Sequence, residues 1–137
     1  MISFRTIAFF LLILLFSFTL EAKKKEPIIE FESQEINLGN VPYDKKKTVV
    51  FNFKNVGKGK LVINSLTTSC GCTTGTFPKD FIKPGGTGKI VVTYDGTGAH
   101  PGPFVKRIIL QTNCSSQQIS LKIRGNMTNE SKNNSKK

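Results

Sequence analysis

Thr48-Val49-Val50-Phe51-Asn52-Phe53-Lys54-Asn55 decides the fold. In an extended chain successive side chains point to opposite faces. Val49, Phe51 and Phe53 therefore share one side, and Val50, Asn52 and Lys54 the other. One face is buried and one is wet, the signature of a strand in an antiparallel sheet. Outward from this stretch the same period of two recurs, and no segment carries a helical period. Upstream, Ile28 and Ile29 open a strand reaching Phe31 or Glu32. Ile36, Leu38 and Val41 mark a second, interrupted by Gly39. Downstream, Asn55, Gly57 and Gly59 form a turn, after which Leu61, Ile63 and Leu66 lead towards Cys70. The Pro- and Gly-rich stretch 77–88 holds a Pro84-Gly85 turn, in which Pro presets one backbone angle and Gly supplies the next. It feeds Ile90, Val92 and Tyr94. A second connection, 95–103, delivers strand 104–111, and strand 118–124 closes the series with Ile119, Leu121 and Ile123 alternating with polar residues.

About seven short strands with turns between them predict an all-β fold, two antiparallel sheets packed face to face over residues 26–125. A barrel closed from the same strands is the alternative. The expected core is Phe31, Phe51, Phe53, Leu61, Ile63, Ile90, Val92, Tyr94, Ile108, Leu110, Leu121 and Ile123. Beyond Gly125 only Met127 is apolar, so residues 126–137 are expected to form a disordered polar tail.

The 137 residues leave room for one domain. Arg5, the apolar run from Ile7 to Phe16, its continuation through Leu20, and the Glu21-Ala22 end read as a signal peptide over 1–22. The mature chain then begins at Lys23. A retained anchor is the alternative, but a membrane span normally needs about 20 apolar residues. No cysteine closely follows the run, which argues against lipid attachment. The expected address is the periplasm or cell envelope, or secretion. Membrane contact is expected only through an uncleaved leader.

The net charge is +11, and loss of Arg5 together with Glu21 leaves it unchanged. Such a charge favours encounter with anionic surfaces. An anionic envelope polymer or an envelope protein is the expected partner, and the chain is expected to be a monomer. Nucleic acid is not expected, because the lysines are scattered and no basic helix or aromatic-basic RNA motif is present.

Ser69-Cys70-Gly71-Cys72-Thr73 is the one unusual local motif. Three cysteines leave an odd thiol whichever pair forms. In an extended segment Cys70 and Cys72 face the same side with Cα atoms about 6.6 to 6.8 Å apart, the upper edge for a disulfide. Gly71 would ease that geometry by allowing a bend. Three readings stay open. The cysteines are buried or disulfide-bonded, Cys114 being available to either partner. Alternatively, Cys70 and Cys72 hold a soft metal such as Cu(I), or zinc with Cys114 and His100 added. In the third, a strained bridge exchanges with other thiols, although the spacing differs from that of thioredoxin-like sites.

This motif, together with Lys83-Pro84-Gly85 leading to Ile90-Val91-Val92-Thr93-Tyr94-Asp95, Gly102-Pro103-Phe104 and Leu121-Lys122-Ile123-Arg124-Gly125, resembles the bacterial domain of unknown function 1573. Phe51-Asn52-Phe53-Lys54-Asn55-Val56-Gly57 matches the phenylalanine-rich strand and turn of the same family. The resemblance spans nearly the whole mature domain. It implies an immunoglobulin-like sandwich in exported envelope proteins, with no established reaction. It also implies that Cys70 and Cys72 are the family's characteristic pair, while Cys114 lies outside the pattern.

Other catalytic arrangements are missing. His100 is the sole histidine and sits in a glycine-rich connection. Gly85-Gly86-Thr87-Gly88-Lys89 superficially resembles a phosphate loop, but Ile90 stands where Ser or Thr is needed and a strand follows in place of a helix. Glu26, Glu30, Glu32 and Glu35 read as a solvated edge that discourages edge-to-edge pairing. The expected function is therefore non-enzymatic binding or scaffolding in the cell envelope, without a cofactor. A copper-binding or thiol-redox protein built on Cys70 and Cys72 is the alternative.

Overall fold

A computed structural model describes residues 24–129. The expected leader (1–22) and the polar tail from residue 130 onward lie outside them. Among the described residues eight strands follow one another: β1 (Ile29–Phe31), β2 (Glu35–Pro42), β3 (Lys46–Asn55), β4 (Ile63–Thr68), β5 (Thr73–Thr76), β6 (Thr87–Asp95), β7 (Gly102–Thr112) and β8 (Gln118–Thr128). They form two four-stranded sheets, ordered β1-β3-β6-β5 and β2-β8-β7-β4. The result is an all-β, immunoglobulin-like sandwich.

The alternation read in β3 sets the interior. Phe51, Phe53 and Asn55 are buried, and Ile90, Val92 and Tyr94 continue the layer on the paired strand β6. Ile108 and Leu110 of β7, with Leu121 and Ile123 of β8, close it from the facing sheet. Each such side chain contributes roughly 1.5 to 3 kcal/mol when fully buried. Of the expected core only Phe31 is half-exposed. Its strand is three residues long at a sheet edge, so its ring leans on Phe53, at 5.4 Å between centroids, with no further strand to cover it.

Four departures from the sequence reading come from how the strands pair, which residue type does not mark. First, β2 pairs with β8 in parallel, whereas all pairs were expected to be antiparallel. Glu32 N still donates to Asn52 O of β3 (3.2 Å), while Gln34 O already accepts from Lys122 N of β8 (2.8 Å). The chain thus changes sheets at Ser33 without reversing, and β2 runs alongside β8. Second, β8 runs to Thr128, past the expected end at Gly125. Met127 pairs with Val41 on one side and Gly102 on the other, and is 2% exposed. A residue held between two strands belongs to the ladder, so the tail does not begin at 126. Third, Leu38 and Val41 join the core. The Gly39 interruption is a register irregularity between Asn37 and Asn40, with Gly39 at φ 66°. Fourth, Thr73–Thr76 carries no large apolar residue, yet it pairs with β6 as an eighth strand because the preceding turn delivers it there.

Asn55 ends the inward face of β3 and is fully buried. Its Nδ2 donates to Gly59 O (2.8 Å) and Ile82 O (2.9 Å). Its Oδ1 accepts from Gly57 N (3.1 Å) and Ile28 N (3.3 Å). One amide thereby joins the chain before β1, the β3–β4 turn and the β5–β6 connection. The same end gathers 113–117 between β7 and β8. The opposite end gathers 43–45, 69–72 and 96–101.

Candidate functional site

The Cys70–Cys72 motif lies where the chain crosses from β4 in one sheet to β5 in the other. Ser69 prolongs the β4–β7 ladder: its N donates to Arg107 O (3.0 Å), and Arg107 N donates to Ser69 Oγ (3.1 Å). A turn follows, closed by Thr73 N donating to Cys70 O (3.2 Å). Asp95 N then donates to Cys72 O (2.8 Å), which ties the turn to the end of β6. Thr68 Oγ1 lies 3.0 Å from Cys70 O and 2.8 Å from Thr73 O, so it braces the turn from below.

Within this turn Cys70 and Cys72 form a disulfide with Cα atoms 5.3 Å apart. The turn shortens the separation expected of an extended segment and brings it inside the usual range. Gly71 is exposed, and a Cβ added there would meet nothing within 4 Å. Its φ is not positive. The bend therefore comes from the turn's hydrogen bonds and not from glycine's freedom. The Thr73 hydroxyl, 2% exposed as a residue, sits 3.7 Å from Cys70 Sγ and 3.8 Å from Cys72 Sγ.

The pairing of Cys114 and the four-residue zinc set are corrected accordingly. Cys114 bridges to neither partner: it is a buried free thiol. It follows β7 at the far end of the sandwich, beyond the β4 residue Ile63 that pairs with Thr112, whereas Cys70 lies beyond the other end of β4. Six strand residues, about 20 Å, separate the two ends. Among the described residues no three His, Cys, Asp or Glu side chains gather to hold a metal, so Cys70, Cys72, Cys114 and His100 do not form a zinc set. As a pair, Cys70 and Cys72 spend their sulfurs on each other, and this oxidised state offers no thiolate to copper.

Around the turn, Tyr94 pairs across to Thr73 and stacks on Phe104 at 4.3 Å between centroids. Burial raises the Tyr94 phenol pKa, and the Asp95 charge adds to the rise. The Asp95 carboxyl is lowered to about 2, chiefly by hydrogen bonds from Thr97 and then by Lys46, whose Nζ is 3.0 Å away. Asp95 is thus an anion that pins the β6 exit. Chemically, the site is a braced clip between the sheets that carries one half-buried disulfide.

Asn55 is what the sequence reading missed: it closes strand 48–55 and opens the turn there, and is not counted among the core residues. The signal available was its place in the 49-51-53 series, which sets position 55 on the buried face.

No curated protein matches the chain. Among solved structures, a protein of unknown function from Porphyromonas gingivalis superposes with a TM-score of 0.65 at 19% identity, covering 80% of this chain and 51% of that one. This chain thus spans about half the length of that relative. PapD-like domain 7 of human CEP192 matches with a TM-score of 0.61 at 8% identity, over 77% and 88% of the two chains. A family 123 glycoside hydrolase from Clostridium perfringens matches at 0.55 and 8% identity, over 77% and 27%. At such identities the likeness is one of fold, an immunoglobulin-like or PapD-like sandwich. A family model described as Protein of unknown function (DUF1573) matches residues 29–127, from the first strand to the last, and the chain belongs to that family.

Proposed function

We propose that this domain is exported and works in the cell envelope by binding or scaffolding, with no cofactor and no reaction of its own. One observation carries the reading: the Cys70–Cys72 disulfide in a chain whose N-terminal sequence reads as a secretory leader. Disulfides persist in oxidising compartments and are rare in the cytosol. Sandwich domains of the PapD-like kind, in a family without an assigned reaction, are compatible with a binding role. The partner is an envelope protein or an anionic envelope component, drawn by the +11 charge, and the domain is a monomer. Cell fractionation tests this reading. The protein is expected in the envelope or periplasmic fraction, with Lys23 as its first residue and the elution volume of one copy. Recovery from the cytoplasm with residues 1–22 still attached would overturn it.

A further inference from the structure

The end of the sandwich nearest the N-terminus concentrates two things that folding does not require there. One is lysine. Lys24 and Lys25 precede β1, Lys58 and Lys60 lie between β3 and β4, and Lys79 and Lys83 lie between β5 and β6, all exposed. The acids at this end are Glu26, which accepts from Ser115 Oγ, Asp80 and, one residue into β1 and opposite Lys54, Glu30. The other is apolar surface. Ile28, Val56 and Phe81 are 55%, 44% and 52% exposed, three of the six large apolar side chains so exposed among the described residues. Lys60 Nζ lies 4.3 Å from the Phe81 ring centroid, and Lys79 Nζ lies 3.7 Å from that of Phe77.

These residues sit on a rigid base. Asn55 and the Leu61–Ile82 bridge hold the loops together, and Val56 N donates to Ile28 O at 2.8 Å. The opposite end also carries lysines, but Lys45 is paired with Asp44 (3.5 Å) and Lys46 with Asp95 (3.0 Å). At that end Tyr43 and Val105 are the large exposed apolar side chains, and neither lies beside a lysine-capped aromatic ring.

Exposed apolar residues rimmed by polar groups mark interaction surfaces. Lysine ammonium groups beside exposed apolar and aromatic side chains suit the boundary between phospholipid headgroups and acyl chains.

We infer that this end of the domain docks on an anionic phospholipid bilayer. The inference rests on the envelope reading above and names the partner. Lysines each add about 1 kcal/mol at an anionic membrane surface, close to fivefold in partitioning. Ile28, Val56 and Phe81 supply the shallow apolar contact that a soluble polyanion would not reward.

Vesicle co-sedimentation of the chain from Lys23 onward, which holds every residue of the described core, tests this. Phosphatidylcholine vesicles with and without about one-third phosphatidylglycerol are compared at about 0.15 M salt. Binding is expected only to the anionic vesicles. Lys58→Glu with Lys83→Glu should weaken it by at least about 30-fold, the loss of two lysines before any repulsion from the new carboxylates, and Phe81→Ser about fivefold. Lys45→Glu with Lys47→Glu makes the same change in net charge at the other end and should leave binding within about twofold. Equal loss in both lysine pairs would overturn the assignment by reducing it to net charge. So would retention on a soluble anionic polysaccharide with no vesicle binding. Either result, with the protein still recovered from the envelope fraction, removes the bilayer and leaves the envelope reading intact.

Discussion

Asn55→Ala is expected to lower the free energy of unfolding by about 3 to 5 kcal/mol. The side chain satisfies Gly59 O and Ile82 O with its amide protons and receives Gly57 N and Ile28 N at its oxygen. Removing it leaves Gly59 O, Gly57 N and Ile28 N without that partner at a site where the residue is 0% exposed, while Ile82 O still accepts from Leu61 N at 2.9 Å. Each buried orphan costs roughly 1 to 3 kcal/mol, and the lower half of that range applies because the loops can shift to admit water. For a domain of this size about 1 kcal/mol moves the midpoint by roughly 4 to 8 °C, so a fall of roughly 15 °C or more is expected in a thermal melt. A shift of only a few degrees would show that Asn55 does not join the three segments.

Gly57→Ala combined with Gly59→Ala should cost about 2 to 4 kcal/mol by a different route. Neither glycine has a positive φ. What demands glycine is close approach: a Cβ at Gly57 would fall against the backbone of Glu26, Pro27 and Ile28, and one at Gly59 against Lys25, Glu26 and Pro27. Backbone cannot swing aside as a flexible side chain can. The segment before β1 would have to lift, losing the bonds from Lys58 N and Gly59 N to Glu26 O, at 2.9 and 3.0 Å, and from Val56 N to Ile28 O. Limited proteolysis gives the second readout. Trypsin should cut after Lys24 and Lys25 markedly faster in the double variant than in the parent. Unchanged melting with unchanged cleavage would place this segment elsewhere.

Both predictions concern features that sequence patterning reveals unevenly. The sandwich was legible because Phe51 and Phe53, and Leu121 and Ile123, alternate with polar neighbours, and Ile90 and Val92, Ile108 and Leu110 keep the same period of two. That alternation is itself the cause of one-sided burial. The parallel β2–β8 pair was not legible, because a crossing at Ser33 leaves no mark in residue type. Met127 was hidden for a related reason: a lone apolar residue in a polar run looks like tail until a neighbouring strand claims it. β5 was missed since Thr-Thr-Gly-Thr buries little, and its pairing is imposed by the turn before it.

The site was legible in part. Cys70 and Cys72 stood out, but which cysteines pair depends on the path of β4, which sets Cys114 at the other end of the sandwich. Spacing alone could not convey that distance. The Cys70–Thr73 turn, which brings the two sulfurs together, owes its shape to Asp95, Thr68 and Arg107, residues distributed over three strands.

Counting thiols by intact mass tests this arrangement most directly. Alkylation of the native protein should add no label, since Cys70 and Cys72 are bonded and Cys114 is 7% exposed. Unfolding without reductant should expose a single site, Cys114, and reduction should bring the count to the full set of three cysteines. A peptide in which Cys114 is linked to Cys70 or Cys72 would contradict the account, because no bond can join opposite ends of the same sandwich.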